Sequence, residues 1–295
     1  MATEKVIKKT VKEEKKGTLQ ILSETLNEGI KYLEKNLFPL FKDLLKINLL
    51  NVVILGLGFG IVLLLPDFLP SDSAPIASVM AIIALIIIIM IIIITLLLSA
   101  VISSVQFNAV DERARGGAVR ILSKAKENFV PVILYTILLY SIIFILFLPL
   151  VLAFLSGDTS LSLIGPGLLL FSPLALLLLI FLTQFGLWEL VINKRGPLAS
   201  LKRSYELITN GNIIKTLIFY ICITIVEFGF GIIYEVLSYV LSIIAAFVML
   251  VNAIIGIILV YAFLVLFGVV YYAVVYAVIL PFQYIFWKKL EEISG

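Results

Sequence analysis

Residues 78–105 read SVMAIIALIIIIMIIIITLLLSAVISSV, with no charged side chain and, over 86–94, nothing but Ile and Met. As a helix, these 28 residues reach about 42 Å at ~1.5 Å per residue, more than the ~30 Å hydrocarbon layer of a bilayer. The run predicts a membrane span that tilts or protrudes. The whole composition agrees with it. Of 295 residues, 62% are hydrophobic and only 14% charged, against roughly 25% charged in a soluble domain. The predicted class is all-α: a polytopic membrane helical bundle of about six transmembrane helices with interfacial amphipathic helices. A net charge of +3 is too small for a nucleic-acid-binding face. The chain has no histidine and a single cysteine, Cys222. Imidazole-based catalysis and imidazole metal sites are therefore excluded, and no cofactor is expected.

Outward from that stretch, apolar runs predict spans at about 47–65, 129–155 and 167–192, separated by the loops 66–77 and 156–166 and by polar stretches 108–128 and 193–212. The following 75 residues, 213–287, are apolar. They hold two long spans or three short ones. If the C-terminal lysines lie on the same side as the N-terminus the number is even, giving spans at about 213–236 and 256–286. Residues 237–255 are then a partial helix near the far surface, with a seventh span as the alternative. Residues 1–18 form a lysine-rich tail too polar to bury a core, expected to be mobile. Between 19 and 46, Leu19, Leu22, Leu26, Ile30, Leu33 and Leu37 recur at steps of three and four opposite Glu24, Glu28, Lys31 and Lys35. That spacing predicts an amphipathic surface helix, bent at Pro39 where the chain enters the bilayer. Short interfacial helices are likewise expected in 116–128 and in 194–212, the latter with Leu198, Leu201, Tyr205 and Ile208 on its apolar face.

All 22 Lys and Arg fall in the tail, the first amphipathic segment, the two polar stretches with their flanks, or the last residues. The loops 66–77 and 156–166 carry only Asp67, Asp72 and Asp158 as charges. The positive-inside rule makes both termini and both basic loops cytoplasmic, in a multi-pass protein of the cell membrane. Trp188 and Trp287, near span ends, suit interfacial anchoring.

A shift of 80 residues lays Arg115-Gly116 on Arg195-Gly196, Thr136 on Thr216 and Tyr140 on Tyr220; a shift of 92 lays Asn36 on Asn128 and Pro39 on Pro131. Both shifts preserve membrane direction, which suggests a threefold parallel repeat with units at about 19–106, 109–192 and 193–287. The organisation is one membrane domain, 19–287, between the tail and a short cytoplasmic end, 288–295.

Trp188-Glu189-Leu190-Val191, followed by Arg195-Gly196-Pro197-Leu198-Ala199-Ser200-Leu201-Lys202-Arg203-Ser204-Tyr205-Glu206-Leu207, resembles a loop of poorly characterised six-span proteins. These are the YciC-like membrane proteins and the membrane domain that precedes some glycerophosphodiester phosphodiesterases. The shared pattern is a carboxylate at a span end, a glycine, then an amphipathic helix with small-Leu-x-x-Ser. The resemblance covers about 20 residues strictly and the rest only in segment order. It implies an architecture and a lipid-linked setting without an active site, since no residues remain for the phosphodiesterase barrel.

Candidate polar sites inside the membrane are Glu227, Glu189, Glu235 and Gln184. Glu227 lies about 21 Å into its span from residue 213, where an ionised carboxylate is costly. Its neutral form is expected to donate to a backbone carbonyl or to Gln184, Thr183 or Tyr261. Proton, cation or head-group handling is the functional reading; helix packing is the other. Glu235 is placed at the far interface. Glu189 either acts in function or pairs with Lys194 and Arg195. Head-group-facing basic candidates are Arg195, Lys202, Arg203, Arg113 and Arg115. Gly56-Leu57-Gly58-Phe59-Gly60 offers a small-xxx-small packing step, as do residues around Gly256 more weakly. Tyr261, Tyr272 and Tyr276 share a face beside Tyr271; they line a polar path or bond to neighbouring helices. No phosphate loop, dinucleotide fingerprint or nucleophile elbow is present. The expected role is a non-catalytic membrane module that organises lipids or a membrane-protein partner, with no nucleic acid involved. A transporter or channel for a lipid or small polar solute, using Glu227, is the alternative.

Overall fold

The computed structural model describes residues 17–64, 74–156, 164–251 and 253–294. Among the described residues eight helices follow one another: α1 (Thr18–Leu64), α2 (Ala74–Ala114), α3 (Ile121–Ser156), α4 (Ile164–Thr183), α5 (Gly186–Val191), α6 (Pro197–Thr209), α7 (Ile213–Val251) and α8 (Ala253–Ser294). Among the described residues no strand occurs, and six helices are long and apolar enough to cross a membrane. The all-α membrane bundle stands. The expected mobile tail and most of the loops 66–77 and 156–166 lie outside the described residues.

Packing runs in the order α7, α8, α1, α2, α3, α4. The small helices α5 and α6 are tucked against the ends of the long ones, with α6 touching both α4 and α7. The most deeply buried side chains include Leu40, Leu44 and Ile47 of α1, Val105, Ala109 and Val110 of α2, Phe185, Trp188, Leu190 and Val191, and Tyr284, Phe286, Trp287 and Leu290 of α8. These are the stretches next to the Lys/Arg-bearing segments. The core therefore sits at the basic end, while the aliphatic middle of α2 remains exposed, as at Leu85, Ile86 and Met90. Helices of this length explain why: α1, with 47 residues, measures about 70 Å, over twice the hydrocarbon thickness. The excess at the basic end packs on itself out of the lipid.

Four expectations are corrected. Pro39 lies inside the continuous α1, so no break in the helix divides the amphipathic segment from the span. Residues 116–128 do not form a separate interfacial helix: α2 runs on to Ala114 and α3 starts at Ile121. The turn between them is closed by Gly116 at φ +78°, with Gly117 N–H donating to Glu112 C=O at 2.8 Å. Residues 237–255 are no surface fragment; α7 continues to Val251 and α8 starts at Ala253. Glu235 consequently lies mid-helix, with about four turns of α7 beyond it. Finally, Trp188 and Trp287 are not interfacial anchors. They are 1% and 0% exposed and stack with ring centroids 5.8 Å apart.

Candidate functional site

The end of the fourth span breaks at Gln184-Phe185, between α4 and α5. The break leaves backbone groups unpaired, and α6 supplies their partner. Ser204 Oγ donates to Leu182 C=O at 2.8 Å and accepts from Phe185 N–H at 3.2 Å. One hydroxyl thus satisfies a donor and an acceptor on either side of the gap. Ser200, Leu201 and Ser204 are all buried against the bundle, which gives the small-Leu-x-x-Ser pattern a physical reason. The inward stripe is Ser200, Leu201, Ser204, Leu207 and Ile208, so the expected apolar face is only half correct. Leu198 and Tyr205 are turned outward, 70% and 52% exposed.

α5 delivers Glu189 into the core, where it is 0% exposed. Arg195 pairs with it at 2.9 Å, Trp287 Nε1 donates to it at 3.0 Å and Asn193 Nδ2 donates at 3.0 Å. A buried carboxylate is tolerable only with its lone pairs occupied, and three side-chain donors accomplish that. Lys194 adopts the left-handed φ of +54° in the turn that brings Arg195 back over Glu189. Its own ammonium pairs instead with Glu127 at 2.8 Å.

A second carboxylate knot has the same parts. Asp111, near the end of α2, is buried and pairs with Arg115 at 2.8 Å. It also accepts the Tyr284 hydroxyl at 2.7 Å. In both knots an Arg-Gly dipeptide folds back onto a carboxylate at the preceding span end, and an aromatic from α8 completes the set. Between them Trp188 packs on Tyr284, ring centroids 5.3 Å apart. Within the same turn of α2, Arg113 binds Asp43 of α1 at 2.7 Å, and Tyr32 donates to Val110 C=O at 2.8 Å.

The basic candidates therefore differ in where they face. Arg113 is turned inward onto Asp43, its side chain 20% exposed. Arg203 is 15% exposed, with Nε unpartnered. Arg195 and Arg115 are ion-paired at the rim, 39% and 66% exposed. Lys202, 77% exposed, reaches Glu206 at 3.8 Å and is the most outward of the five.

The intramembrane candidates do not converge. Glu227 and Glu235 are exposed on α7, and among the described residues Glu227 makes no side-chain hydrogen bond or ion pair. Its expected partners are engaged or apart: Thr183 Oγ1 donates to Leu179 C=O at 2.8 Å, and Gln184 Nε2 is buried with no partner. The side chain of Tyr261 lies outside the described residues.

A cavity of about 650 Å³ lies between α1, α2 and α8, and its polar wall is Asn48, Asn51, Ser103, Gln106, Tyr272 and Tyr276. Gln106 Nε2 donates to Asn48 Oδ1 at 2.8 Å, and Asn51 Nδ2 donates to Ser103 Oγ at 3.1 Å. Asn48 Nδ2 and Asn51 Oδ1 are buried without partners. Sequence reasoning singled out Tyr272 and Tyr276 and missed the other four. The available signal was helical spacing: Asn48-Asn51 and Ser103-Gln106 are each three apart, placing both amides or hydroxyls of a pair on one face.

Six apolar spans around a buried, ion-paired basic end define a polytopic, all-α integral membrane protein. Within that class, the chain belongs to a family of unknown function, DUF7544, whose model matches residues 24–288. No curated protein and no solved structure matches it.

Proposed function

We propose that the protein is a non-catalytic membrane module of the cell membrane that organises anionic lipids at its cytoplasmic, basic end. The observation that carries this reading is the outer face of α6, where Leu198, Lys202 and Tyr205 are exposed together. An apolar residue, an aromatic and a cation on the outward face of an amphipathic helix suit the head-group layer of a charged leaflet. The inward face is fixed to the bundle through Ser204, so the helix is held in place before any lipid arrives. The resemblance to six-span domains in a lipid-linked setting points the same way. The transport reading has less support, because Glu227 does not line the polar cavity between α1, α2 and α8.

Quantifying lipids co-purified with the chain in mild detergent tests the proposal. Wild type should retain anionic lipid above its share of the membrane. A Leu198→Ser, Lys202→Glu, Tyr205→Ser variant should lose that excess with unchanged melting. Equal retention by the variant overturns the α6 reading. Proteoliposome flux of a lipid or solute that depends on Glu227 overturns the module reading in favour of a transporter.

A further inference from the structure

We infer that the cavity between α1, α2 and α8 is a binding site for a lipid with a neutral, hydroxyl-bearing head group. Among the described residues the lining contains amides and hydroxyls but no Asp, Glu, Lys or Arg. An ionic head group would be desolvated there without a countercharge, whereas a hydroxylated one matches the donors and acceptors on offer. Two of these are unmatched in the protein: the Asn48 Nδ2 donor and the Asn51 Oδ1 acceptor, one turn apart on α1. A hydroxyl both donates and accepts, so one diol answers both. At about 650 Å³ the space far exceeds the ~30 Å³ share of a bridging water and falls within the range of ligand pockets.

The order of residues along the walls identifies a lipid rather than a soluble polyol. On α1, Asn48 and Asn51 come first from the basic end, then Val52, Leu55 and Gly56 deeper in the span; on α8, Tyr276 and Tyr272 come first, then Val269, Gly268 and Val265. Two antiparallel helices thus carry the same gradient, polar near the basic end and apolar toward the membrane centre. Asn48 lies about 7.5 Å along α1 from Asp43, whose ion pair with Arg113 marks the polar layer. The deep side opens between residues facing outward from the bundle: Val265 is 49% exposed and Gly56 is exposed. Head group at the amides and chains along Val52 and Val265 is the orientation of a lipid in the same leaflet.

The site is separate from the α6 surface, so the two readings fail independently. The test is binding of radiolabelled diacylglycerol to the full chain in phosphatidylcholine nanodiscs, which contain no anionic lipid. Saturable binding of one molecule per chain is expected, competed by unlabelled monoacylglycerol and not by phosphatidylglycerol or free glycerol. Asn51→Leu should weaken it at least tenfold at unchanged melting temperature. Val265→Trp, a change at an exposed position that fills the mouth, should do the same without touching the polar wall. Absence of saturable binding to wild type overturns the site. Equal competition by phosphatidylglycerol overturns its neutrality, and displacement by free glycerol overturns the lipid source. Wild-type affinity in both variants overturns the location.

Discussion

The indole N–H of Trp287 reaches Glu189 at 3.0 Å across 98 residues of sequence, tying the last helix to α5 at the end of the fourth span. With Arg195 on the other carboxylate oxygen, the contact makes the basic end one body instead of a set of helix tips. The pair is asymmetric in exposure, Glu189 at 0% and Arg195 at 39%, and the asymmetry orders the mutants. Removing Arg195 strands a buried carboxylate, whereas removing the carboxylate frees an arginine that reaches solvent. Arg195→Met should therefore destabilise by about 3–5 kcal/mol, and Glu189→Gln, which keeps an acceptor for Trp287, by only about 1–2 kcal/mol. Thermal melting followed by tryptophan emission, which reports on Trp188 and Trp287 directly, checks the order. The reverse order would show that the ion pair does not govern this end.

Gly58 gives a sharper packing prediction. A Cβ placed there collides with the Thr95 side chain of α2, while Gly56 and Gly60 have nothing within 4 Å. The close approach of α1 to α2 thus depends on Gly58 and not on the small-xxx-small pair at 56 and 60. Gly58→Ala should cost about 1–3 kcal/mol by overpacking, and Gly56→Ala or Gly60→Ala should cost nothing measurable. Melting curves of the three variants decide it; equal losses at all three would return the contact to the outer pair.

The number and order of the spans were legible because run length and charge position follow from what a bilayer accepts. The inner face of α6 was only half legible. Leu201 and Ile208 follow hydrophobic spacing, but Ser200 and Ser204 enter the core for their hydroxyls, and no periodicity of apolar residues registers that. Glu189 was legible as a carboxylate near Arg195. Its bond to Trp287 was not, because it depends on how α8 returns past the fourth span. The cavity was the least legible feature: Asn48 meets Gln106, and Asn51 meets Ser103, only once α1 and α2 are paired. In the sequence these four are polar residues near span edges, where solvation is explanation enough. Glu227, the sharpest candidate from hydropathy, proved exposed on α7, because depth along a helix says nothing about which way a side chain faces.

The positive-inside argument predicts sidedness. In a Cys222→Ala background, cysteines placed at Ser71 and at Ser160 should react with an impermeant maleimide in intact cells. A cysteine replacing Lys126, exposed near the start of α3, should react only after permeabilisation. The opposite pattern would invert the protein and place the face of α6 on the outer leaflet.

Glu227 tests whether an acid inside a span must have a role. Among the described residues its side chain makes no hydrogen bond or ion pair, and its position on α7 is exposed, so an amide should serve the fold as well as the carboxyl. Glu227→Gln should change stability by no more than about 0.5 kcal/mol, as for a surface position away from packing and networks. Glu227→Lys places an obligate charge at the same depth and should lower the yield of membrane-inserted protein. If the Gln variant misfolds while Glu227→Asp is tolerated, the charge is needed and a partner must be sought where α7 faces another chain. If Gln folds but a cellular phenotype of the deletion is not rescued, proton exchange at this position enters the function. Rescue by Gln with normal melting assigns Glu227 no part in activity, and the polar wall at Asn48 and Asn51 becomes the first place to look for one.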